Sequence, residues 1–167
     1  MFKKVDPKTL DLNAFSAIGD QWMLITAGTP EKCNTMTASW GGLGVMWGKD
    51  VAYIVLRPQR YTKELLDDTG ILSLSVLPEG NKDIYGYLGK ISGRQEEKIA
   101  KTGLTVAHDG ATPYFEEARL VLLCRPLFAQ EYNPRCFLDT SVEEKWYPEK
   151  DYHTLYICEI QKVLVKE

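Results

Sequence analysis

Hydroxyl side chains alternate with apolar ones in the segment CNTMTASWGGLG, residues 33–44. Thr35, Thr37 and Ser39 stand two residues apart, and successive side chains of an extended strand point to opposite faces. The spacing therefore predicts a strand with three hydroxyl groups on one face. Two interpretations of that face stay open: a solvated β surface, since threonine is a good strand former, or a row of donors for an anion or for the polar edge of a cofactor.

Trp40 and the glycines that follow it favour the second interpretation. Gly41, Gly42 and Gly44 have no side chain and would let the backbone approach a ligand closely. The indole of Trp40 offers a flat apolar face with one polar edge. The segment is thus a candidate binding strand.

A basic cluster lies in the segment RPQRYTKE, residues 57–64. Arg57 and Arg60 carry planar forks that suit phosphate oxygens, and Lys63 adds a third cation. Thr62 stands at the start of a predicted helix, where backbone N–H groups attract anions. Alone, such a cluster is typical of a solvated basic surface; together with a hydroxyl and a helix start, it indicates an anion site.

A second cluster, in the segment GKISGRQEEK, has a similar composition. Ser92 and Gly93 stand beside Arg94 and Lys98, just before a predicted helix. A hydroxyl, a glycine and two cations are the composition of an anion-binding nest. Because the whole chain is acidic, with a net charge of -3, these clusters predict one phosphorylated ligand contacted from several sides.

His153 begins the final predicted strand beside Asp151 and Tyr152. A lone histidine is commonly structural, but at a strand edge near a carboxylate it could orient a substrate or cofactor. His108 is predicted to lie on the surface. Neither histidine has the spacing of a metal site.

The cysteines contain no C-x-x-C pair and are predicted to be reduced thiols, most of them in the core. A nucleophilic thiol paired with His153 is disfavoured, because nothing nearby would lower its pKa. The four are Cys33, Cys124, Cys136 and Cys158.

Length and charge limit the class of protein. A chain of 167 residues predicts a single domain over residues 1–167. The acidic balance argues against nucleic acid as a partner, because binding a phosphate backbone needs an excess of clustered cations. No secretion signal and no apolar run of about 18 residues is visible, so we expect a cytoplasmic protein that does not bind membranes.

The coarse pattern predicts an antiparallel barrel or sandwich of about six strands with short helical insertions. Helices are expected over residues 7–18 and 61–70, the second ended by Gly70, and as two short segments within residues 79–103. Strands are expected at Gln21–Gly28, the candidate binding strand, Asp50–Arg57, Ile71–Leu77, Ala118–Gln130 and from Tyr152 onward, the first two as a hairpin.

These motifs together resemble the flavin reductase-like family of FMN-binding split β-barrels, and within it the flavoredoxin-like proteins. The resemblance covers about residues 22–160. It is carried, in the family's order, by NTMTASWGG, RPQRYT, SGRQEEK and DYHTLYICEI. It implies a mainly β, antiparallel Greek-key split barrel with a few short helices, which forms a homodimer and holds FMN near the subunit interface.

The resemblance also implies residue roles, with FMN itself carrying the chemistry and no residue acting as general acid or base. NADH or NADPH is the implied electron donor, and His153 would lie near the nicotinamide. The implied cofactor-binding residues are Asn34, Met36, Thr37, Ala38, Ser39, Trp40, Arg57, Arg60, Tyr61, Thr62, Ser92, Arg94 and Lys98.

Three functions are therefore weighed. The first is an NAD(P)H-dependent flavin reductase that transfers hydride to flavin. The second is a flavoredoxin-type protein that takes electrons from a protein donor; it is motivated by Asp151-Tyr152-His153, where the family commonly has Gly-Asp-His, and by Cys158 in place of a common glycine. The third is a non-catalytic barrel that binds another phosphorylated ligand.

Overall fold

Ten β-strands and three α-helices make up the computed structural model, which describes all residues 1–167. Eight strands form one antiparallel sheet and two form a separate hairpin, so the chain is mainly β, as predicted. The strands are β1 Phe2–Val5, β2 Met23–Gly28, β3 Cys33–Ala38, β4 Gly42–Met46, β5 Lys49–Leu56, β6 Leu72–Val76, β7 Val106–Asp109, β8 Thr112–Phe115, β9 Leu120–Glu131 and β10 Thr154–Lys166. The helices are α1 Tyr61–Thr69, α2 Lys82–Lys90 and α3 Thr140–Trp146.

The large sheet has the strand order β3-β2-β6-β9-β10-β5-β4. The long strand β10 pairs with β9 along its whole length, but its other neighbour changes. Residues 154–159 pair with β5, and residues 163–166 pair with β1. The register between β9 and β10 shifts at two places, after Ile157 and after Ile160, and such bulges bend a sheet toward closure. The antiparallel split barrel predicted from the sequence is confirmed.

The interior of the barrel holds the larger apolar cluster. Its members come from alternate positions of the strands, such as Ile25 and Ala27 of β2 and Leu72 and Leu74 of β6. Helix α1 closes one end of the barrel, because its apolar face joins the same cluster through Leu65 and Leu66. Gly70 adopts a left-handed conformation and ends α1 where the sequence predicted.

The hydroxyl face of β3 is largely covered by α2 and is not a solvated surface: Thr35 is buried and Thr37 is half-buried. Helix α2 and the β7–β8 hairpin form a second apolar layer outside the barrel, and β3 lies beneath α2. The Thr35 hydroxyl donates to the Ile25 carbonyl at 3.1 Å, and the Thr37 hydroxyl donates to the Tyr85 carbonyl at 2.6 Å. Both hydroxyl protons are therefore used inside the protein, and only Ser39 remains exposed.

The N-terminal segment differs from the predicted helix over residues 7–18. A short 3-10 turn covers Pro7–Thr9 and is capped by Asp6, and a π-helical turn covers Ser16–Gln21. Between them, Leu10 and Leu12 pack against the barrel core from a segment without regular structure, and Ala14 packs there from the helical turn that leads into Ser16–Gln21. The predicted helix is therefore interrupted at residues 10–13.

Only one of the two helices predicted within residues 79–103 forms. Helix α2 is present, whereas residues 92–103 make a series of turns. The turn segment contributes Ile99 to the outer apolar layer, and a helix needs a longer apolar stripe to be held in place. Lys98 instead points inward toward the end of α2.

The glycines after Trp40 make room for a neighbouring strand. Gly42 and Gly44 belong to β4, a strand that was not predicted, and Gly41 directly precedes it. A Cβ at Gly41 would lie 2.4 Å from the Tyr53 carbonyl oxygen. The Tyr53 ring lies against Gly44 in the same way. These glycines are therefore explained by the pairing of β4 with β5.

None of the helices is long and apolar enough to cross a membrane.

Candidate functional site

Two adjoining cavities form a continuous groove along β3 and the end of β5. They share Met36, Arg57 and Arg60, so one molecule could occupy both. The first cavity is lined by Met36, Thr37, Ala38, Ser39, Trp40, Val55, Arg57, Arg60, Trp146 and His153. The second is lined by Asn34, Met36, Arg57, Gln59, Arg60, Tyr61, Thr62, Lys90, Ile91, Ser92, Gly93 and Lys98.

The groove brings together all but one of the residues predicted to bind a cofactor. The exception is Arg94, which lies at the rim. Its guanidinium donates to the Glu64 carboxylate at 2.6 Å and to the Gln59 carbonyl at 3.1 Å, and it stacks on the Tyr61 ring at 4.9 Å. Arg94 is therefore neutralised by a carboxylate and helps to fix the Tyr61 ring at the wall of the second cavity.

Arg57 is also paired, and it anchors the segment between α3 and β10. Its Nη1 lies 2.9 Å from the Asp151 carboxylate, and its Nη2 donates to the Trp146 carbonyl at 3.0 Å. The guanidinium also lies over the Tyr147 ring, 5.0 Å from its centroid. Arg57 thus holds one wall of the first cavity in place, and it also lines both cavities, where contact with a ligand was predicted.

Arg60 and Lys98 differ from the other two cations because neither has a carboxylate partner. Arg60 donates one hydrogen bond, from Nη1 to the Gly89 carbonyl at 2.6 Å. Lys98 is only 3% exposed and donates to the Leu88 and Ile91 carbonyls at 2.6 and 2.8 Å. A guanidinium has five N–H donors and an ammonium three, so both cations keep donors for a ligand.

Burial and a neighbouring cation lower the pKa of each of these two groups. Burial lowers the pKa of Lys98 to about 8, and the neighbouring Arg60 charge acts in the same direction. Burial and the charge of Arg57 likewise lower the pKa of Arg60. The carbonyl end of α2 offsets part of this unfavourable charge, since it carries the negative pole of the helix. An anion bound in the second cavity would offset the remaining unfavourable positive charge.

Asn34, Thr62 and Gly93 pack closely at the wall of the second cavity. The Asn34 amide donates to the Thr62 hydroxyl at 2.9 Å, and both residues are buried. Thr62 lies in the first turn of α1, as predicted, and the N-cap position of that helix is Arg60, without a side-chain bond. A Cβ at Gly93 would lie 2.1 Å from the side-chain amide oxygen Oδ1 of Asn34, so a larger residue there would force the Asn34 side chain to move.

Gly93→Ala is expected to reduce the free energy of unfolding by about 1–3 kcal/mol, the usual cost of overpacking. The added methyl group would displace Asn34 and break its bond to Thr62. Chemical denaturation measures the change. Gly86→Ala is the matched control, since Gly86 is exposed in α2 with nothing near its Cβ position. The control should stabilise the protein slightly, because alanine favours a helix; equal destabilisation in both variants would contradict the packing argument.

His153 closes the first cavity together with two tryptophans. Its ring lies 5.3 Å from that of Trp40, and Trp40 meets Trp146 edge to face at 4.9 Å. The His153 Nδ1 lies 2.7 Å from the Tyr147 hydroxyl. Burial lowers the pKa of His153 to about 4, and the charge of Arg57 adds to this effect. His153 is therefore neutral at pH 7.

Helix α3 contributes to the site, although no sequence motif indicated it. Trp146 lines the first cavity, and Tyr147 bonds to His153 behind it. Neither belongs to one of the four motifs, and the short helix that carries them has no strong apolar period. In the sequence, this contribution could have been inferred from two adjacent aromatic residues shortly before His153. Of the other predictions, the surface position of His108 is confirmed, and all four cysteines are unpaired as expected. Only Cys124 and Cys158 are buried, however, whereas most of the four were expected in the core.

Comparison with known proteins gives one family across most of the chain. The model of the flavin reductase like domain matches residues 15–167. No curated protein sequence matches significantly.

Several solved structures share the fold at low sequence identity. An FMN-binding domain of a flavin reductases-like enzyme from Shewanella baltica OS155 aligns with a TM-score of 0.70 at 15% identity, over 99% of this chain and 77% of that one. Flavoredoxin from Methanosarcina acetivorans aligns with a TM-score of 0.69 at 18% identity, over 99% and 75%. Flavoredoxin of Desulfovibrio vulgaris (Miyazaki F) aligns with a TM-score of 0.67 at 21% identity, over 99% and 76%.

Proposed function

Because the chain belongs to the flavin reductase-like family, we propose that it is an FMN-binding oxidoreductase whose groove holds the cofactor. The phosphate would occupy the second cavity, beside Arg60 and Lys98. The isoalloxazine ring would occupy the first, along the segment from Met36 to Trp40. Because the two cavities share part of their lining, one ligand with a ring and a phosphorylated tail could extend through both.

The observation that carries this proposal is the pair of cations without a carboxylate. Nearby cations that serve structure are paired here, Arg57 with Asp151 and Arg94 with Glu64. Placing Arg60 and Lys98 together, with Lys98 almost completely buried, is unfavourable unless an anion compensates them. A phosphate supplies that charge and accepts the remaining N–H groups in charge-assisted hydrogen bonds. The residues therefore fit FMN.

The residues of the first cavity orient the ring and limit its exposure. FMN, when bound, supplies the redox chemistry by accepting electrons and passing them on. Trp40 and Trp146 stand at the mouth of the cavity and are 38% and 42% exposed, so they shield one side while leaving an approach from the other. His153 contributes a neutral imidazole to the same wall. No paired carboxylate or triad lies in the groove, which agrees with chemistry carried by the cofactor.

We further propose that the electron donor is NADH or NADPH, which reduces the flavin by hydride transfer. The open side of the first cavity, bounded by Trp40, Trp146 and His153, suits a small planar donor. The alternative is an electron-transfer protein of the flavoredoxin type, to which the two exposed indoles would offer a contact surface. A homodimer with FMN near its interface stays a prediction, supported by exposed apolar side chains such as Phe15 and Leu138.

Anaerobic reduction of the FMN-loaded protein tests the donor. We expect NADH or NADPH to bleach the visible flavin absorbance in a stopped-flow experiment, faster than with free FMN. His153→Gln should slow this step by about tenfold, the effect of removing one well-placed polar contact at the reacting centre. His108→Gln, on the exposed β7 strand, should leave it unchanged.

Other outcomes separate the alternatives. If NADH and NADPH bleach the flavin absorbance slowly and a reduced rubredoxin bleaches it rapidly, the protein would be assigned the electron-transfer function. Failure of the purified protein to take up FMN would leave the non-catalytic barrel that binds another phosphorylated ligand.

A further inference from the structure

The hydrogen bond between Tyr147 and His153 determines which ring nitrogen of the histidine carries a proton. Tyr147 is 3% exposed, and its hydroxyl has one hydrogen-bond partner, the His153 Nδ1 at 2.7 Å. A phenol must donate its proton somewhere, and a buried donor without an acceptor is costly. The Tyr147 hydroxyl therefore donates to Nδ1. A neutral imidazole that accepts at Nδ1 carries its proton on Nε2.

The Tyr147 side chain is held rigidly in this position. Its backbone N–H donates to the Glu143 carbonyl at 2.8 Å and ends α3. The Arg57 guanidinium packs on its ring and also binds the backbone on either side of it, at Trp146 and Asp151. The hydroxyl is thus aimed at His153 before any ligand arrives.

The Nε2 atom of His153 has no partner within the protein. The only buried side-chain polar atom without a hydrogen bond is the Ser75 Oγ, so Nε2 is reached by solvent. His153 borders the first cavity, and the rest of its ring is enclosed by Trp40, Tyr132 and Tyr147. The free N–H is consequently available on the cavity side.

We propose that Tyr147 is a positioning residue: it fixes His153 as the Nε2–H tautomer, so that a neutral N–H donor faces the first cavity and binds a carbonyl oxygen of the second substrate. This inference rests on the proposed function for the identity of that substrate, but the tautomer itself does not depend on it. A carboxamide of a nicotinamide ring and the ketone of a cyclic enone share the required acceptor. A neutral donor suits such an uncharged oxygen, and the low pKa of His153 keeps it neutral across the physiological range.

Nitrogen NMR of the histidine rings tests the tautomer directly. The chain has two histidines, so the spectrum of the FMN-free protein is simple, and His108→Gln assigns the remaining ring to His153. We expect a protonated Nε2 and an unprotonated Nδ1 at pH 7. Tyr147→Phe should move His153 toward a mixture of both tautomers. Tyr132→Phe is the matched control, because its ring lies 6.4 Å from that of His153 without a hydrogen bond, and it should leave the tautomer unchanged.

Two results of this experiment would overturn the proposal. One is an Nδ1–H tautomer in the unmodified protein. The other is an equal response of His153 to the Tyr147 and Tyr132 substitutions. Neither result bears on FMN binding, so failure here is distinguishable from failure of the proposed function.

Titration of the FMN-loaded protein tests the acceptor. Oxidised nicotinamide dinucleotide and 1-cyclohex-2-enone serve as separate probes, and each should shift the His153 Nε2–H resonance if it binds. Tyr147→Phe should weaken the binding of the responding probe by about three- to tenfold, which corresponds to one neutral hydrogen bond. FMN affinity should stay within about twofold, since Tyr147 lines neither cavity of the groove. Saturable binding of either probe without a shift of the Nε2–H resonance would contradict the assigned contact, and so would the absence of binding by both.

Discussion

Replacing Lys98 with methionine should weaken FMN binding by about 10- to 100-fold, because the lost contact is a charge-assisted hydrogen bond to the phosphate. Riboflavin, which lacks the phosphate, should bind the variant and the unmodified protein with similar affinity. Fluorescence titration with both ligands measures the difference. The comparison is informative even if the variant is less stable, since misfolding would weaken riboflavin binding as well.

Two further variants define the role of Lys98. Lys98→Arg keeps the charge and should retain more FMN affinity than Lys98→Met. Lys101→Met removes a lysine that is exposed, pairs with Glu96 and lies outside the groove, so it should bind FMN normally. If Lys98→Met bound FMN as tightly as the unmodified protein, or if Lys101→Met lost as much affinity, the phosphate would have to lie elsewhere.

The affinity for FMN should also fall as the pH rises above 8. In the free protein, burial and the Arg60 charge lower the pKa of Lys98 to about 8, so the side chain loses its proton above that pH. The phosphate would raise this pKa in the complex, and binding at higher pH would therefore require proton uptake. The phosphate itself is already doubly charged above its second pKa of about 6.

The expected size of the pH effect follows from linkage. Affinity should be nearly constant from pH 7 to 7.5 and about 30-fold weaker at pH 9.5, because each pH unit above the pKa of the free protein costs up to about tenfold. Calorimetry in buffers of different ionisation enthalpy should detect uptake of close to one proton at pH 9. Lys98→Met should remove the pH dependence in this range. A constant affinity from pH 7 to 9.5 in the unmodified protein would show that Lys98 does not titrate in response to the ligand.

The elements with strong local patterns were predictable from the sequence. The β2–β3 hairpin, α1 with its stop at Gly70, and the long strands near β9 and β10 carry clear apolar runs and turn residues. The short strands β1, β4, β7 and β8 were missed because each is only four or five residues long. Strand β1 is held by the distant β10, whereas β4 pairs with the following β5 and β7 pairs with β8. Short runs of that kind have no period of their own.

The composition of the site was predictable, but the role of each residue was not. The motifs name the residues that line the groove, because cations, hydroxyls and glycine at those positions suit an anion. Whether a cation is free depends on which carboxylate lies near it in space. Arg57 and Arg94 are paired with Asp151 and Glu64, and only the folded structure separates them from Arg60 and Lys98.

The place of β10 in the sheet has a consequence for biosynthesis. This strand follows both β9 and β5 in the chain, yet it lies between them and holds them together. Until residues 154–166 have left the ribosome, β9 and β5 each present an unpaired edge, and Arg57 lacks the Asp151 partner that precedes β10. The barrel must therefore close after translation of this strand. Pairing over such long sequence separations makes folding slow, and the emerging chain needs protection from edge-to-edge association during that interval.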